Sequence, residues 1–222
     1  MGERFDVAIV GAGLFGSALA YHLTRDPPLR VLALDLAPDA SRPSGTQTSA
    51  GIVSVQGWDP WDLAVVRESA NEYRTIAEAE GAEPLRRNGG LRLARTPAGT
   101  RWLERCQRVL AREGLETRWL SEGQARDLLP CASSDDLGRG LYTPEDAVVS
   151  PLSLRAAYAR AAARAGAVLR SGASPPRIEG VADGAAAATG VSSRNSPSAT
   201  PSILGGLAPE RRTAPARAAA RA

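Results

Sequence analysis

Asp6-Val7-Ala8-Ile9-Val10-Gly11-Ala12-Gly13-Leu14-Phe15-Gly16 at one end, and Arg30-Val31-Leu32-Ala33-Leu34-Asp35 at the other, bracket the stretch that decides the fold. Phe5 to Val10 is a short, β-branched apolar run that stops at glycine, as a buried parallel strand does. Gly13 to Arg25 reads as a helix with Ala18, Leu19 and Leu23 on one side. Asp26-Pro27-Pro28 ends it, because proline cannot continue the hydrogen-bond ladder. Arg30 to Asp35 is a second strand, and strand, helix and strand within about thirty residues make a βαβ unit. Gly11 to Gly16 matches G-x-G-x-x-G. Gly11 makes the tight turn, Gly13 lets backbone approach a pyrophosphate, and Gly16 lets the helix pack on the strand. The helix start offers unpaired N–H groups and a positive dipole end to phosphates. Asp35 follows Gly16 by 19 residues, close to the roughly 20 of the dinucleotide fingerprint. Its carboxylate can accept hydrogen bonds from both hydroxyls of an adenosine ribose and would repel a 2′-phosphate. These parts together imply a dinucleotide site and argue against NADP; they do not separate FAD from NAD.

Outward from this unit, residues 38–57 are small and polar. Asp62 to Glu80 carries an apolar stripe of Leu63, Val66, Ala70, Tyr73, Ile76 and Ala77 and stops at Gly81, which predicts a helix. A strand is expected over 85–94 around Gly89-Gly90. Thr96-Pro97 caps a helix running to Glu113. A short strand follows over 117–120, and Ser121-Glu122-Gly123-Gln124 fits a capping box for a short helix ending near Pro130. Strands with a Pro144-Glu145-Asp146 turn are expected over 140–149. Ser150-Pro151 caps a helix over 152–165, and Gly166 releases it into a strand over 167–170. From Ser171 to Ala222 there is no aromatic residue and no sustained apolar period, so a disordered, low-complexity tail is expected.

The 222 residues suffice for one large domain or two small ones. The formal net charge of +3 lies wholly in residues 171–222, where six arginines face three acidic residues; the remainder is balanced. An evenly charged body gives no footprint for nucleic acid. Every basic residue is arginine, which points to GC-rich coding DNA rather than a binding surface. No run of about 18 apolar residues predicts a membrane span. The N-terminus lacks the basic start and apolar core of a signal peptide. Cys106 and Cys131 have no metal-type spacing and read as free thiols in a reducing cytoplasm.

The stretch from Asp6 to Leu23 resembles the opening of the FAD-dependent D-amino-acid oxidase superfamily, which includes sarcosine oxidases, glycine oxidases and D-amino-acid dehydrogenases. Ser44-Gly45-Thr46-Gln47-Thr48-Ser49-Ala50-Gly51-Ile52-Val53 is similar to that superfamily's second cofactor loop, where small and hydroxylated residues touch the flavin's diphosphate and ring edge. Asn88-Gly89-Gly90-Leu91-Arg92-Leu93 and Gly140 to Pro151 resemble its first substrate-domain strand and the turn back to the flavin domain. The resemblance covers about residues 5 to 170. It implies an α/β fold: a truncated FAD-binding Rossmann-type domain from residues 1–58 and 151–170, and an incomplete α+β substrate domain over 59–150. It assigns cofactor binding to Gly11, Ala12, Gly13, Leu14, Phe15, Gly16, Asp35, Leu36, Thr48, Ser49, Ala50, Gly51 and Ile52. The implied reaction is oxidation of the C–N bond of a small amine or amino acid by hydride transfer to flavin.

The family's C-terminal half is not visible after Arg170, so no residue receives a catalytic role by motif. A frameshifted or prematurely ended reading frame would leave such a tail. Three alternatives stand beside the amine oxidase: a non-catalytic fragment, an FAD-dependent 2-hydroxy-acid or glycerol-phosphate dehydrogenase, and an NAD-binding module. His22, mid-helix, reads as a surface or packing residue. Trp58, Trp61 and Tyr142 read as core rather than pocket wall, and Arg86, Arg87 and Arg92 as a solvated face.

Overall fold

In the computed structural model, residues 3–25, 28–36, 43–131, 137–173, 177–182 and 185–189 are described. The βαβ unit forms from β1 (Val7–Val10), α1 (Leu14–Leu23) and β2 (Val31–Leu36). The two strands are parallel, with Val7 opposite Val31 and Val10 opposite Leu34. Next come α2 (Gly45–Thr48), β3 (Ile52–Val53), α3 (Pro60–Ala79), β4 (Arg86–Arg87), β5 (Gly90–Ala94) and α4 (Pro97–Arg112). After these lie β6 (Arg118–Leu120), α5 (Glu122–Leu128), β7 (Arg139–Thr143), β8 (Ala147–Val148), α6 (Pro151–Arg164) and β9 (Val168–Ala173). β10 (Arg177–Ala182) and β11 (Ala185–Thr189) complete the order.

Strand β9 joins β2 in parallel, Leu32 opposite Val168, so the first sheet runs β1-β2-β9. Helices α1 and α6 cover one face of it. Ile9, Val31, Ala33 and Leu169 meet Ala20, Ala159 and Ala162 there. The alanines let the helices approach the sheet closely, and burying the larger apolar side chains contributes roughly 1.5–3 kcal/mol each. On the opposite face Leu32 and Leu34 pack with Phe5 and Val168, whereas Ala8 and Val10 on β1 are exposed.

The region between β2 and α6 builds two small antiparallel sheets, β3-β8-β4 and β5-β7-β6. Ala94 and Leu141 of the second pack on Leu103 and Cys106 of α4. Helix α3 joins the two regions, because Leu63 near its start packs with Leu110 of α4 while Ile76 near its end packs with Leu154, Ala157 and Tyr158 of α6. Its start is set by Asp59, whose carboxylate accepts from the N–H groups of Trp61 and Asp62, and by Pro60 at the first helical position. Buried Asp146 pins the passage between regions. It accepts from the Val55 N–H at 2.8 Å and the Ser54 hydroxyl at 2.9 Å.

Several local expectations change. The polar stretch 38–57 contains the short α2 and β3. The strand expected over 85–94 is two strands in different sheets. It breaks at Gly89, whose φ of +73° and N–H bond to the Asp146 carbonyl turn the chain. Trp58 and Trp61 lie outside the core; the Trp58 indole N–H donates to the Ser54 carbonyl at 2.7 Å, and Trp61 is 74% exposed on the first turn of α3. His22 is at the surface, 3.0 Å from Glu72.

The segment expected to lack structure after Arg170 is in part strand. β9 continues to Ala173, and β10 pairs antiparallel with β11. The missed signal is Asp183-Gly184 between them, a dipeptide suited to a tight hairpin. The rest of that expected tail, 190–222, lies outside the described residues.

Candidate functional site

The turn between β1 and α1 is held at its glycines. Gly11 has φ +102° and donates its N–H to the Leu34 carbonyl at 2.7 Å, which ties the turn to the end of β2. A Cβ on Gly16 would stand 1.9 Å from the Gly11 carbonyl oxygen, so helix and turn approach more closely than any side chain permits. Buried Ser17 donates its hydroxyl to the Ala12 carbonyl at 3.1 Å. Gly13 is the N-cap of α1 and has no side chain to cap it, whereas Ser44, Asp59, Thr96, Ser121 and Ser150 cap the other five helices.

A residue from the second loop reaches this start. The Leu14 N–H donates to Thr46 Oγ1 at 2.9 Å. Thr46 is so close that a Cβ on Gly13 would meet its hydroxyl at 2.9 Å. The Ser44/Gln47 capping box shapes the loop around Thr46. Gly51, with φ +68°, then passes so near β8 that a Cβ there would lie 2.1 Å from the Val149 carbonyl oxygen. From the opposite side, Arg155 of α6 donates through Nε to the Ala12 carbonyl at 2.7 Å and through Nη2 to Asp35 Oδ2 at 3.0 Å.

The structure thus brings together Gly11, Ala12, Gly13, Leu14, Gly16 and Asp35. Phe15 is 91% exposed on the outer side of the α1 start, and Leu36 is exposed at the end of β2. Thr48, Ser49, Ala50 and Ile52 are exposed, and Gly51 is buried. Thr48 and Ser49 hydrogen-bond within their own segment, and Thr46 is the loop residue that touches the glycine turn. Sequence reasoning passed over Thr46 and Arg155. Thr46 lay inside the quoted loop, but its contact with Leu14 spans 32 residues; Arg155 carried no signal, since it sits on a helix whose spacing marks only its buried face.

A family described as DAO, FAD dependent oxidoreductase, matches residues 6–204. The chain belongs to this family. The match extends past residue 170, where the resemblance was expected to end. The chain is 31% identical over 179 residues to glycine oxidase of Geobacillus kaustophilus, covering 76% of this chain and 46% of that protein. It is 29% identical to the mitochondrial pyruvate dehydrogenase phosphatase regulatory subunit of Mus musculus, over 72% of this chain and 18% of that one. Among solved structures, Geobacillus kaustophilus glycine oxidase superposes with a TM-score of 0.66 at 28% identity, covering 80% of this chain and 49% of that chain. This chain therefore spans less than half the length of these relatives.

The family is one of oxidoreductases, and its cofactor is FAD. The residues present fit a dinucleotide: space beside Gly11 is open, with nothing within 4 Å of a Cβ placed there. The adjoining helix start lacks a cap of its own. Among the described residues no helix is long and apolar enough to cross a membrane, and no group of three or more His, Cys, Asp or Glu could hold a metal ion.

Proposed function

We propose that this chain forms the adenosine- and diphosphate-binding part of an FAD-dependent oxidoreductase that oxidises the C–N bond of a small amine or amino acid. The observation that carries the reading is the convergence of the open Gly11–Gly16 turn, the Asp35 carboxylate and the Thr46 loop on one helix start. In this reading the backbone N–H groups at the start of α1 other than that of Leu14, which donates to Thr46, face the diphosphate, and the open space beside Gly11 admits it. Asp35 accepts from the ribose hydroxyls. Thr48, Ser49, Ala50, Gly51 and Ile52 lie along the path toward the ring, with Leu14, Phe15 and Leu36 flanking the turn. Bound FAD supplies the acceptor for a hydride from the nitrogen-bearing carbon. Glycine oxidase and 4-methylaminobutanoate oxidase, both named for amine or amino-acid oxidation, are among the similar proteins and support this substrate class. The free thiols Cys106 and Cys131 support a reducing cytoplasm as its compartment.

A second reading, a flavin-binding chain with no turnover of its own, is favoured by the likeness to a protein named as a regulatory subunit. The test is an absorbance spectrum of the purified chain, followed by FAD and NAD titrations and a screen of small amines. FAD retained near one per chain with amine turnover supports the first reading; FAD retained without turnover supports the second. Binding of NAD in preference to FAD overturns both.

A further inference from the structure

We propose that Arg155, which lies outside the dinucleotide fingerprint, is a positioning residue for the adenosine ribose. It holds one oxygen of the Asp35 carboxylate and leaves the other for the ribose hydroxyls. This inference rests on the dinucleotide reading of the site. Arg155 reaches the glycine turn from α6, 143 residues away in sequence from Ala12 and 120 from Asp35. Two donors of one planar guanidinium make the contacts, Nε to the Ala12 carbonyl at 2.7 Å and Nη2 to Asp35 Oδ2 at 3.0 Å. A rigid fork with two fixed acceptors sets the distance between them, which a flexible ammonium cannot do.

Among the described residues Asp35 Oδ1 has no hydrogen-bond partner, and the Asp35 side chain is 34% exposed. With Oδ2 held by the guanidinium that also grips the Ala12 carbonyl of the glycine turn, the carboxylate is fixed relative to that turn and keeps one oxygen free. A partly exposed ion pair adds little stability by itself; the value of this one lies in orientation. Without the fork, the Asp35 side chain would rotate at the end of β2, and ordering it would oppose binding.

The test uses ADP and 2′-deoxy-ADP as probes, titrated calorimetrically into the full chain. The wild type is expected to prefer ADP by about tenfold, the worth of one hydrogen bond to a charged acceptor. Asp35→Asn should abolish that preference. Arg155→Met keeps the aliphatic stem and removes both donors; it should bring the preference below about threefold. A merely structural role would weaken both ligands equally and leave the ratio intact. If Arg155→Met does not fold, Arg155→Lys is read the same way: its ammonium can serve only one acceptor at the required geometry, so the ratio should fall by about threefold. An unchanged ratio in whichever variant folds overturns the proposal, as does a wild type that binds both ligands equally. FAD retention by the wild type, measured separately, shows whether the dinucleotide reading survives that failure.

Discussion

Gly16→Ala is the sharpest probe of the packing that places the glycine turn. The added Cβ would lie 1.9 Å from the Gly11 carbonyl oxygen and 3.3 Å from Ile9 Cγ2. Ordinary contact begins at 3.4 Å, so α1 must withdraw from the turn by about 1.5 Å. Neither neighbour is the far end of a flexible side chain. The Gly11 N–H is bonded to Leu34, and Ile9 is buried between sheet and helices. Overpacking of this kind costs about 1–3 kcal/mol, and a backbone obstacle puts Gly16→Ala at the upper end. For a chain of this size about 3 kcal/mol lowers Tm by roughly 6–12 °C. Gly11→Ala meets open space but has φ +102°, which costs about 1–2 kcal/mol of backbone strain. Gly123→Ala in α5 meets nothing within 4 Å and has no such φ; it should stabilise by about 0.5–1 kcal/mol. Thermal melts followed by circular dichroism measure all three. A Gly16→Ala melt within about 2 °C of wild type, or a loss smaller than that of Gly11→Ala, would refute the close-approach argument.

Glu80, with only 2% of its side chain exposed, is held by Arg164 and Arg160. The Arg164 hydrogen bond in particular lowers its pKa. Glu80→Gln should destabilise by about 2 kcal/mol at neutral pH. Because the folded pKa is depressed, this difference should shrink as pH falls through that value, and urea midpoints that differ equally at all pH values would contradict it. Asp146 is the opposite case, since burial raises its pKa more than its hydrogen bonds lower it. Its contribution is fullest below the ordinary aspartate range and is lost as pH rises through the raised folded value. Asp146→Asn should therefore gain stability on wild type as pH rises above the ordinary aspartate range in urea titrations, and a difference constant with pH would contradict this.

The βαβ unit was legible because its signals are local: β-branched runs, glycines at fixed offsets, and an acidic residue 19 positions on. Helix starts at Thr96, Ser121 and Ser150 were legible for the same reason, as a cap and a following proline or Gln declare themselves within four residues, whereas the start of α3 at Asp59-Pro60 was read two residues late, at Asp62. What stayed hidden depends on distant chain. The break at Gly89 follows from Asp146, which crowds Gly90 at 2.1 Å from a Cβ there. The roles of Thr46 and Arg155 exist only once their segments fold back on the glycine turn. The pairing of β10 with β11 was hidden differently: four of the five residues of β11 are alanine, which carries little β propensity, so composition masked a turn signal that was present.

The parallel pairing of Leu32 with Val168 also sets a schedule for synthesis. At about 5–20 residues per second, roughly 7–27 s separate the emergence of these partners from the ribosome. During that interval β2 has only β1 beside it in the sheet: the alanine face of α6 that will cover Val31 and Ala33 has not yet been made, nor has Val168, which will pack on Leu32 and Leu34. The nascent chain therefore passes through a stage with a sticky, half-built sheet. Chaperone occupancy and losses to aggregation should concentrate at chain lengths short of β9, where the long-range contacts have yet to close.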